Sequence, residues 1–594
     1  MTPSNKFNIA SAFESVFKTY ATCDALFVGD CYYTYQQLRN QSNMLRNLIL
    51  KHSKSQVNFV GVFCDRSIDA YSGMVGVLLS GRAYMPLNPI HPPDKLRKFI
   101  EISECSIIIL GEECADVFSK IENIDQDLVV ICPNPGEKID KLKANNKNIR
   151  VTYVFPSHSD ELQQLDVEIF EDTSAYLMFT SGSTGEPKGI VVSHKNLSSY
   201  ANYTISKYKI DSSDRVSQPV DISFDLSVHN IFTTLLAGAS LYVLTRNDLI
   251  APREFINRHR LTHWISVPSV AIAMSSMGFL AKNSLPSLKY TLFCGEGLPC
   301  NIAIEWQAAA NNSVIENLYG PTEATVAFMS YSWNQVTSPS ECFNGLVPIG
   351  LPFDGMEARI VPNDQDADSM SIGELYVSGD QVVKGYFKNE TLTNERFVIL
   401  DGDSSKLWYR TGDLVKRSGN GDYLFVGRND DQLKIRGYRV ELLEIDHVLR
   451  EACGHQMAVC LPKVTGENFE VIEGVVGFVE SSSIKQTKED LINFCITKLP
   501  NYMVPLDIIF LEKIPLNVNG KIDKKFLRQS ILEDVEGSNT FDKSNHELVV
   551  FDLSCSVCLK TLDEDKDLGG YGFIKIINHQ QQDDYICHIC LKGF

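Results

Sequence analysis

Along this chain the apolar positions change their period, and each change predicts a different kind of structure. From residue 30 to about 330, short apolar runs alternate with helical patterns: VNFVGVF (57–63), a helix through IDAYSGMVGVLLSG (68–81), then SIIIL (106–110), LVVIC (128–132), WISV (264–267) and YTLF (290–293). Such alternation predicts parallel sheets flanked by helices. From about 345 to 428 the pattern turns to short alternating segments with Gly turns, as in GELYVSGDQVVKGY (373–386). That predicts a β-rich barrel or meander closing the large domain. Residues 440–530 predict a smaller α+β unit, with one helix in VELLEIDHVLREA (440–452) and another in EDLINFCITKL (489–499). A capping-box pattern at Thr487 and Asp490 opens the second helix.

The polar segment EDVEGSNTFDKSNHE (533–547) reads as a linker to a short C-terminal module. The expected organisation is a large α/β domain over 1–428, a small mobile α+β domain over 429–532, the linker, and a cysteine-containing tail over 548–594.

At 594 residues, with 44% hydrophobic and 22% charged, the chain has globular composition and material for several cores. Lys+Arg 55 against Asp+Glu 74 gives a net charge of −19, whose field repels phosphate backbones and anionic lipid. A general nucleic-acid role is thereby disfavoured. No apolar run approaches the roughly 18–20 residues that span a bilayer, and the start MTPSNKFNIASAFES lacks a secretory pattern. The expectation is a soluble cytoplasmic protein without a membrane partner. Most of the 16 cysteines are scattered through apolar stretches such as VGVFC (60–64) and AVCLP (458–462), as buried thiols in a reducing compartment are.

The most informative stretch is YLMFTSGSTGEPKGIVVSH (176–194). Thr180, Ser181, Ser183 and Thr184 supply hydroxyls, while Gly182, Gly185 and Gly189 let backbone N–H groups approach an anion, so the loop can wrap a polyphosphate. It is not a Walker loop, because Lys188 lies three residues after Gly185 and is followed by Gly189. Further strings agree: NLYGPTEAT (317–325), YRTGDL (409–414), GRNDDQLKIRGYRVELLEI (427–445), LPNYMVP (499–505) and NGKID (519–523), with YTYQQL (33–38) and GRAYMPLNP (81–89) upstream. Together, from about residue 25 to 530, these resemble the adenylate-forming superfamily. The likeness is to the amino-acid-activating adenylation domains of nonribosomal peptide assembly and to free-standing amino acid–carrier protein ligases.

The resemblance implies ATP and Mg²⁺ as cofactors and a carboxylate attacking the α-phosphate in line, a reaction governed by positioning and electrostatics. On this reading the loop Thr180 to Lys188 holds the β- and γ-phosphates, Glu323 binds Mg²⁺ and Thr322 touches the α-phosphate. Tyr319 stacks on adenine with Asn317 beside its polar edge, Asp413 accepts two ribose hydroxyls, and Arg428 serves the ribose and phosphate region. Lys521 bridges the substrate carboxylate and the α-phosphate. A second half-reaction is implied as well, in which a carrier thiol attacks the acyl-adenylate. For that step the small domain rotates about a hinge at Asp430, withdrawing Lys521 and presenting GYRVE (437–441).

In SFDLSVHNIF (223–232), the resemblance assigns Asp225 to the substrate ammonium, although the residue also suits a helix N-cap. The pocket positions carried over are Asp225, Leu226, His229, Ser269, Leu292, Cys294, Leu318, Val326, Ala327 and Lys521. Their apolar, tight lining favours a small neutral side chain. LFCGEGLP (292–299) followed by YGPTEATVA (319–327) looks most like D-alanine–carrier protein ligases, from which His229 and Leu318 depart. His229 is open to two readings, substrate contact or core histidine. An acyl- or aryl-CoA ligase and a catalytically idle scaffold are the alternative functions. In the tail, Cys555, Cys558, Cys587 and Cys590 form two CxxC pairs suited to a tetrahedral zinc site, or belong to a degenerate carrier remnant. Since no serine occurs after Ser556, the acceptor is expected to be a separate phosphopantetheinylated carrier protein.

Overall fold

The computed structural model describes residues 8–528, apart from 54–57, 125–126, 135, 140–141, 143–148, 155–166, 182–186, 363–371, 401, 431, 455–457, 466–470, 482–485, 516–521 and 525, together with Phe573–Ile577 and Asp583–Cys587. Two large sheets form where apolar runs alternate with helical stretches. One has seven strands in the order β7 (Ile149–Tyr153), β6 (Leu128–Cys132), β5 (Ile107–Leu110), β3 (Phe59–Phe63), β4 (Ala83–Pro86), β8 (Ser174–Thr180) and β9 (Lys188–Ser193). All its pairings are parallel except β8–β9.

The other sheet has nine strands, in the order β16 (Leu351–Pro352), β15 (Met329–Ser332), β14 (Val314–Tyr319), β13 (Tyr290–Cys294), β12 (His263–Ser266), β10 (Arg215–Gln218), β11 (Ser240–Val243), β1 (Asp24–Val28) and β2 (Cys31–Thr34). It is parallel from β14 to β1 and antiparallel at both ends.

Helices α1 (Ile9–Thr19), α2 (Tyr35–His52) and α3 (Ile68–Leu79) share one apolar core with both sheets. Helix α2 opens on a capping box between Thr34 and Gln37, which satisfies two N–H groups that the first turn leaves unpaired. Helix α3 is buried almost all round. A Cβ on its Gly76 would stand 2.6 Å from the Ser42 carbonyl oxygen, so glycine there lets α3 cross α2 in backbone contact.

The β-rich part is antiparallel, with β17 (Glu357–Val361), β18 (Ile372–Ser378), β20 (Trp408–Arg417) and β19 (Phe397–Val398) in that order and β21 (Tyr423–Arg428) against β20. Beyond Arg428 comes a hairpin of β22 (Gln432–Ile435) and β23 (Tyr438–Glu441). Its two connecting residues, Arg436 and Gly437, have φ of +50° and +82°, the two positive values that a type I′ turn requires.

A helix, Leu442–Cys453, packs on the three-stranded sheet β24 (Ala458–Thr465), β25 (Val471–Glu480) and β26 (Asp507–Leu511), beside the helix Lys488–Lys498. The helix expected over 440–452 thus starts at Leu442, because Tyr438–Glu441 pairs as a strand. The Thr487/Asp490 capping box is present as expected. In the tail, β27 (Phe573–Ile577) pairs antiparallel with β28 (Asp583–Cys587). Among the described residues no helix is long and apolar enough to cross a membrane.

Candidate functional site

Open parallel sheets bind ligands beyond the carboxyl ends of their strands. Here β8 ends at Thr180, β13 at Cys294 and β14 at Tyr319, three of the positions singled out from the sequence. The Thr180 hydroxyl is buried without a hydrogen-bond partner among the described residues. Ser181 donates to the Arg439 carbonyl at 2.7 Å, and Lys188, at the start of β9, pairs with Glu441 at 2.7 Å with both side chains buried. Gly182, Ser183, Thr184 and Gly185 lie outside the described residues, as does Lys521.

After β14 the chain makes a strained turn: Thr325 and Val326, both β-branched, have φ of +57° and +70°. Gln381 holds this turn by donating its side-chain amide to the carbonyls of Ala324 and Ala327, at 3.3 and 2.7 Å, while its main-chain carbonyl accepts from the Thr325 hydroxyl at 2.6 Å. The turn delivers Thr322 and Glu323. Thr322 donates to Asp225 Oδ2 at 2.6 Å.

Glu323 is fully buried; Tyr386 donates to Oε1 at 2.7 Å and Arg439 Nη1 pairs with Oε2 at 2.6 Å. Burial alone would raise its pKa, but the charge and hydrogen bonds of Arg439, with help from Tyr386, bring it down to about 2. Glu323 is therefore an ionised hard-oxygen donor, which suits Mg²⁺. In this arrangement its counter-charge is Arg439.

A second group gathers at the Tyr319 end. Tyr319 donates to Asp413 Oδ2, Arg428 pairs with Asp413 Oδ1, and the same guanidinium reaches Asp430 at 2.7 and 2.9 Å. Burial would raise the Asp430 pKa, yet the hydrogen bonds and charge of Arg428 hold it below its ordinary value. Asn317 is buried; its Nδ2 donates to the Val347 and Pro348 carbonyls at 3.3 and 2.8 Å, and its Oδ1 has no partner among the described residues.

The pocket positions Leu226, Leu292, Cys294, Leu318, Val326 and Ala327 all fall in one buried cluster. Asp225 stands at its edge at the start of a short helix, Leu226–Val228, but makes no side-chain cap bond; its carboxylate takes the Thr322 hydroxyl instead. Burial raises the Asp225 pKa, and the Thr322 hydrogen bond and the Lys434 charge offset this only in part. Burial pushes the Cys294 thiol up to about 12, so it is neutral and not a nucleophile.

His229 is fully buried, with Nδ1 2.6 Å from the Tyr200 hydroxyl; burial lowers its pKa to about 3, so the ring is neutral. Ser269 donates its backbone N–H to Glu296 at 2.9 Å. Of the tail cysteines, Cys587 ends β28, and Cys555, Cys558 and Cys590 lie outside the described residues, among which no cluster suited to a metal occurs.

Sequence reasoning did not single out Tyr200, Glu296, Gln381, Tyr386 or Lys434. Tyr386 sits in a short Gly-Tyr-Phe string with no spacing relation to Glu323, and Arg439 was visible only as part of GYRVE (437–441).

Residues 13–387 match the family described as AMP-binding enzyme. The D-alanine–D-alanyl carrier protein ligase of Bacillus cytotoxicus is 29% identical over 511 residues, covering 84% of this chain and 95% of that protein. The dimodular nonribosomal peptide synthase of Bacillus subtilis is 30% identical over 508 residues, 85% of this chain, and the chain spans 20% of its length. Among solved structures, the Vibrio cholerae adenylation domain AlmE in complex with glycyl-adenosine-5'-phosphate is 30% identical with a TM-score of 0.78, over 90% of this chain and 98% of that one. The chain therefore belongs to the AMP-binding enzyme family, among the ATP-dependent, AMP-forming ligases of the nonribosomal-peptide adenylation and carrier-protein-ligase type.

Proposed function

We propose that this chain activates a small neutral amino acid as its aminoacyl-adenylate and passes the aminoacyl group to the phosphopantetheine thiol of a separate carrier protein. The observation that carries this reading is Asp225: a buried carboxylate that takes the Thr322 hydroxyl, beside the apolar cluster that holds Leu226, Cys294 and Leu318, with its pKa raised by burial. A substrate ammonium placed there supplies the missing counter-charge, and a buried charge is stable only when so paired. A glycyl-adenylate in the related AlmE domain and D-alanine in the name of the Bacillus cytotoxicus relative agree with a small substrate.

In the first half-reaction the substrate carboxylate oxygen forms a bond to the α-phosphorus as the bond to pyrophosphate breaks. Thr180, Ser181 and Lys188, with the loop between them, hold the outgoing phosphates; Thr322 donates to the α-phosphate; Asp413 takes the ribose hydroxyls, and Tyr319 and Asn317 frame the adenine. Glu323 would hold Mg²⁺, which supplies charge neutralisation at the phosphates when bound. Lys521 spans the two reacting groups. In the second, the thiol sulfur bonds to the acyl carbon, its proton leaves, and AMP departs.

The arrangement in hand fits the second half-reaction better than the first. Lys188, Ser181 and Glu323 are engaged by Glu441 and Arg439 of β23, so these groups are not free for a triphosphate. Rotation about Asp430, between β21 and β22, would release them. We place this activity in the cytoplasm, with no nucleic-acid or membrane partner.

Amino-acid-dependent ATP–pyrophosphate exchange tests the reading. Exchange supported equally by the deaminated acid favours an acyl- or aryl-CoA ligase, and no exchange with any acid favours an idle scaffold.

A further inference from the structure

We infer that Glu296 is a positioning residue that latches the β22–β23 hairpin into the site and serves the thiol-transfer step, not adenylate formation; the transfer part of this assignment rests on the proposed function. Glu296 lies two residues beyond the end of β13. Its Oε2 accepts the Ser269 N–H at 2.9 Å, in the first turn of the helix Pro268–Ser276. First-turn N–H groups have no partner inside their own helix and lie at the positive end of its dipole, so a carboxylate is well placed there.

The other oxygen reaches across to the hairpin. Oε1 accepts the Gly437 N–H at 2.5 Å, at the tip of the type I′ turn. The tip seats closely: a Cβ on Gly437 would stand 2.5 Å from Val267 Cγ1, on the residue just before the same helix. Burial raises the Glu296 pKa, and the hydrogen bonds from Ser269 and Gly437, with the charge of Lys434 on the strand leading to the tip, offset this only in part. One carboxylate thus ties the N-terminus of a large-domain helix to the turn of the small unit. A residue that merely capped the helix would need only the Ser269 contact.

The latch belongs to one conformation. While the hairpin is seated, β23 occupies Lys188 and Glu323, the groups that a triphosphate and its cation require. Seating therefore follows pyrophosphate release, and removing the latch should weaken transfer while leaving adenylation intact.

Hydrogen–deuterium exchange of the full chain, read on peptides covering 432–441, is the direct test, with Glu296→Ala and Glu296→Gln. The Gln variant keeps the size but offers one acceptor oxygen to two N–H donors. A lost hydrogen bond to a charged acceptor predicts exchange about tenfold faster across 432–441. Pyrophosphate exchange with glycine and both alanines should stay within about twofold, while aminoacyl transfer to D-pantetheine falls about tenfold. Unchanged exchange at 432–441 in both variants would overturn the latch. So would parallel loss of both half-reactions, because that is the signature of damage to the pocket wall through Ser269. Should the native enzyme support no amino-acid-dependent exchange, the functional reading fails, and the hydrogen-exchange comparison still decides the latch.

Discussion

Asp225→Asn isolates charge from shape. The substituted amide keeps an acceptor for the Thr322 hydroxyl, which donates to Asp225 at 2.6 Å, so the turn after β14 stays in place. On the proposed function, what is lost is the anion that pairs with the substrate ammonium. Removing one partner of a buried ion pair costs about 3–5 kcal/mol, hence kcat/KM for the amino acid should fall about 10²- to 10⁴-fold. The deaminated analogue has no ammonium to pair and should gain, since a buried carboxylate without a counter-ion disappears. The ratio of the two specificity constants therefore collapses.

A pH signature accompanies it. Burial raises the Asp225 pKa, so in the native enzyme the amino acid must expel a proton as pH falls toward that range, and KM rises there. The Asn variant lacks this limb. The assay is pyrophosphate exchange with matched acids over a pH series. Equal use of both acids by the native enzyme, or an unchanged ratio in the variant, refutes the pairing.

His229→Ala removes the buried ring held by Tyr200 and should improve larger neutral amino acids about tenfold relative to glycine and alanine, read as a reordered exchange panel. Lys521→Ala should cripple adenylate formation and spare thiol capture of a supplied acyl-adenylate, as separate half-reaction assays will report. Asp69, buried and hydrogen-bonded by Asn134 at 2.9 Å, has its pKa raised to about 6 by burial and then by Glu113. The fold thus favours its protonated form, and stability falls as pH rises from about 4 through 6. Asp69→Asn should flatten that decline and gain about 1–3 kcal/mol at neutral pH, measured as urea midpoints at two pH values. For the tail we propose one Zn²⁺ on Cys555, Cys558, Cys587 and Cys590, dispensable for adenylation; absence of stoichiometric zinc in the reduced full chain returns them to a degenerate-carrier reading.

Local pattern carried most of the fold. LVVIC (128–132) is β6 residue for residue, and the capping box at Thr487 marked the start of its helix within a residue. The N-terminal helix Ile9–Thr19 and strand β1 went unread; β1 forms a local hairpin with β2, but its place in the large sheet is set by the remote β11, with Leu26 opposite Leu241. The same limit governs the site. Thr322, Glu323, Asp225 and Asp413 were visible through the strings that surround them. Lys188 with Glu441, Ser181 with Arg439 and Glu296 with Gly437 are joined by folding alone, across separations that no periodicity encodes. Asn317 shows the remaining gap: the family resemblance placed it at the adenine edge, while its amide nitrogen is committed to the Val347 and Pro348 carbonyls.

The central claim, amino-acid activation, is met most directly by ATP–pyrophosphate exchange over both enantiomers of the common amino acids, each beside its deaminated acid. The account predicts strongest exchange with a small neutral amino acid and little with its deaminated counterpart. Exchange confined to large or charged amino acids, or equally strong with acids lacking the amino group, would contradict it.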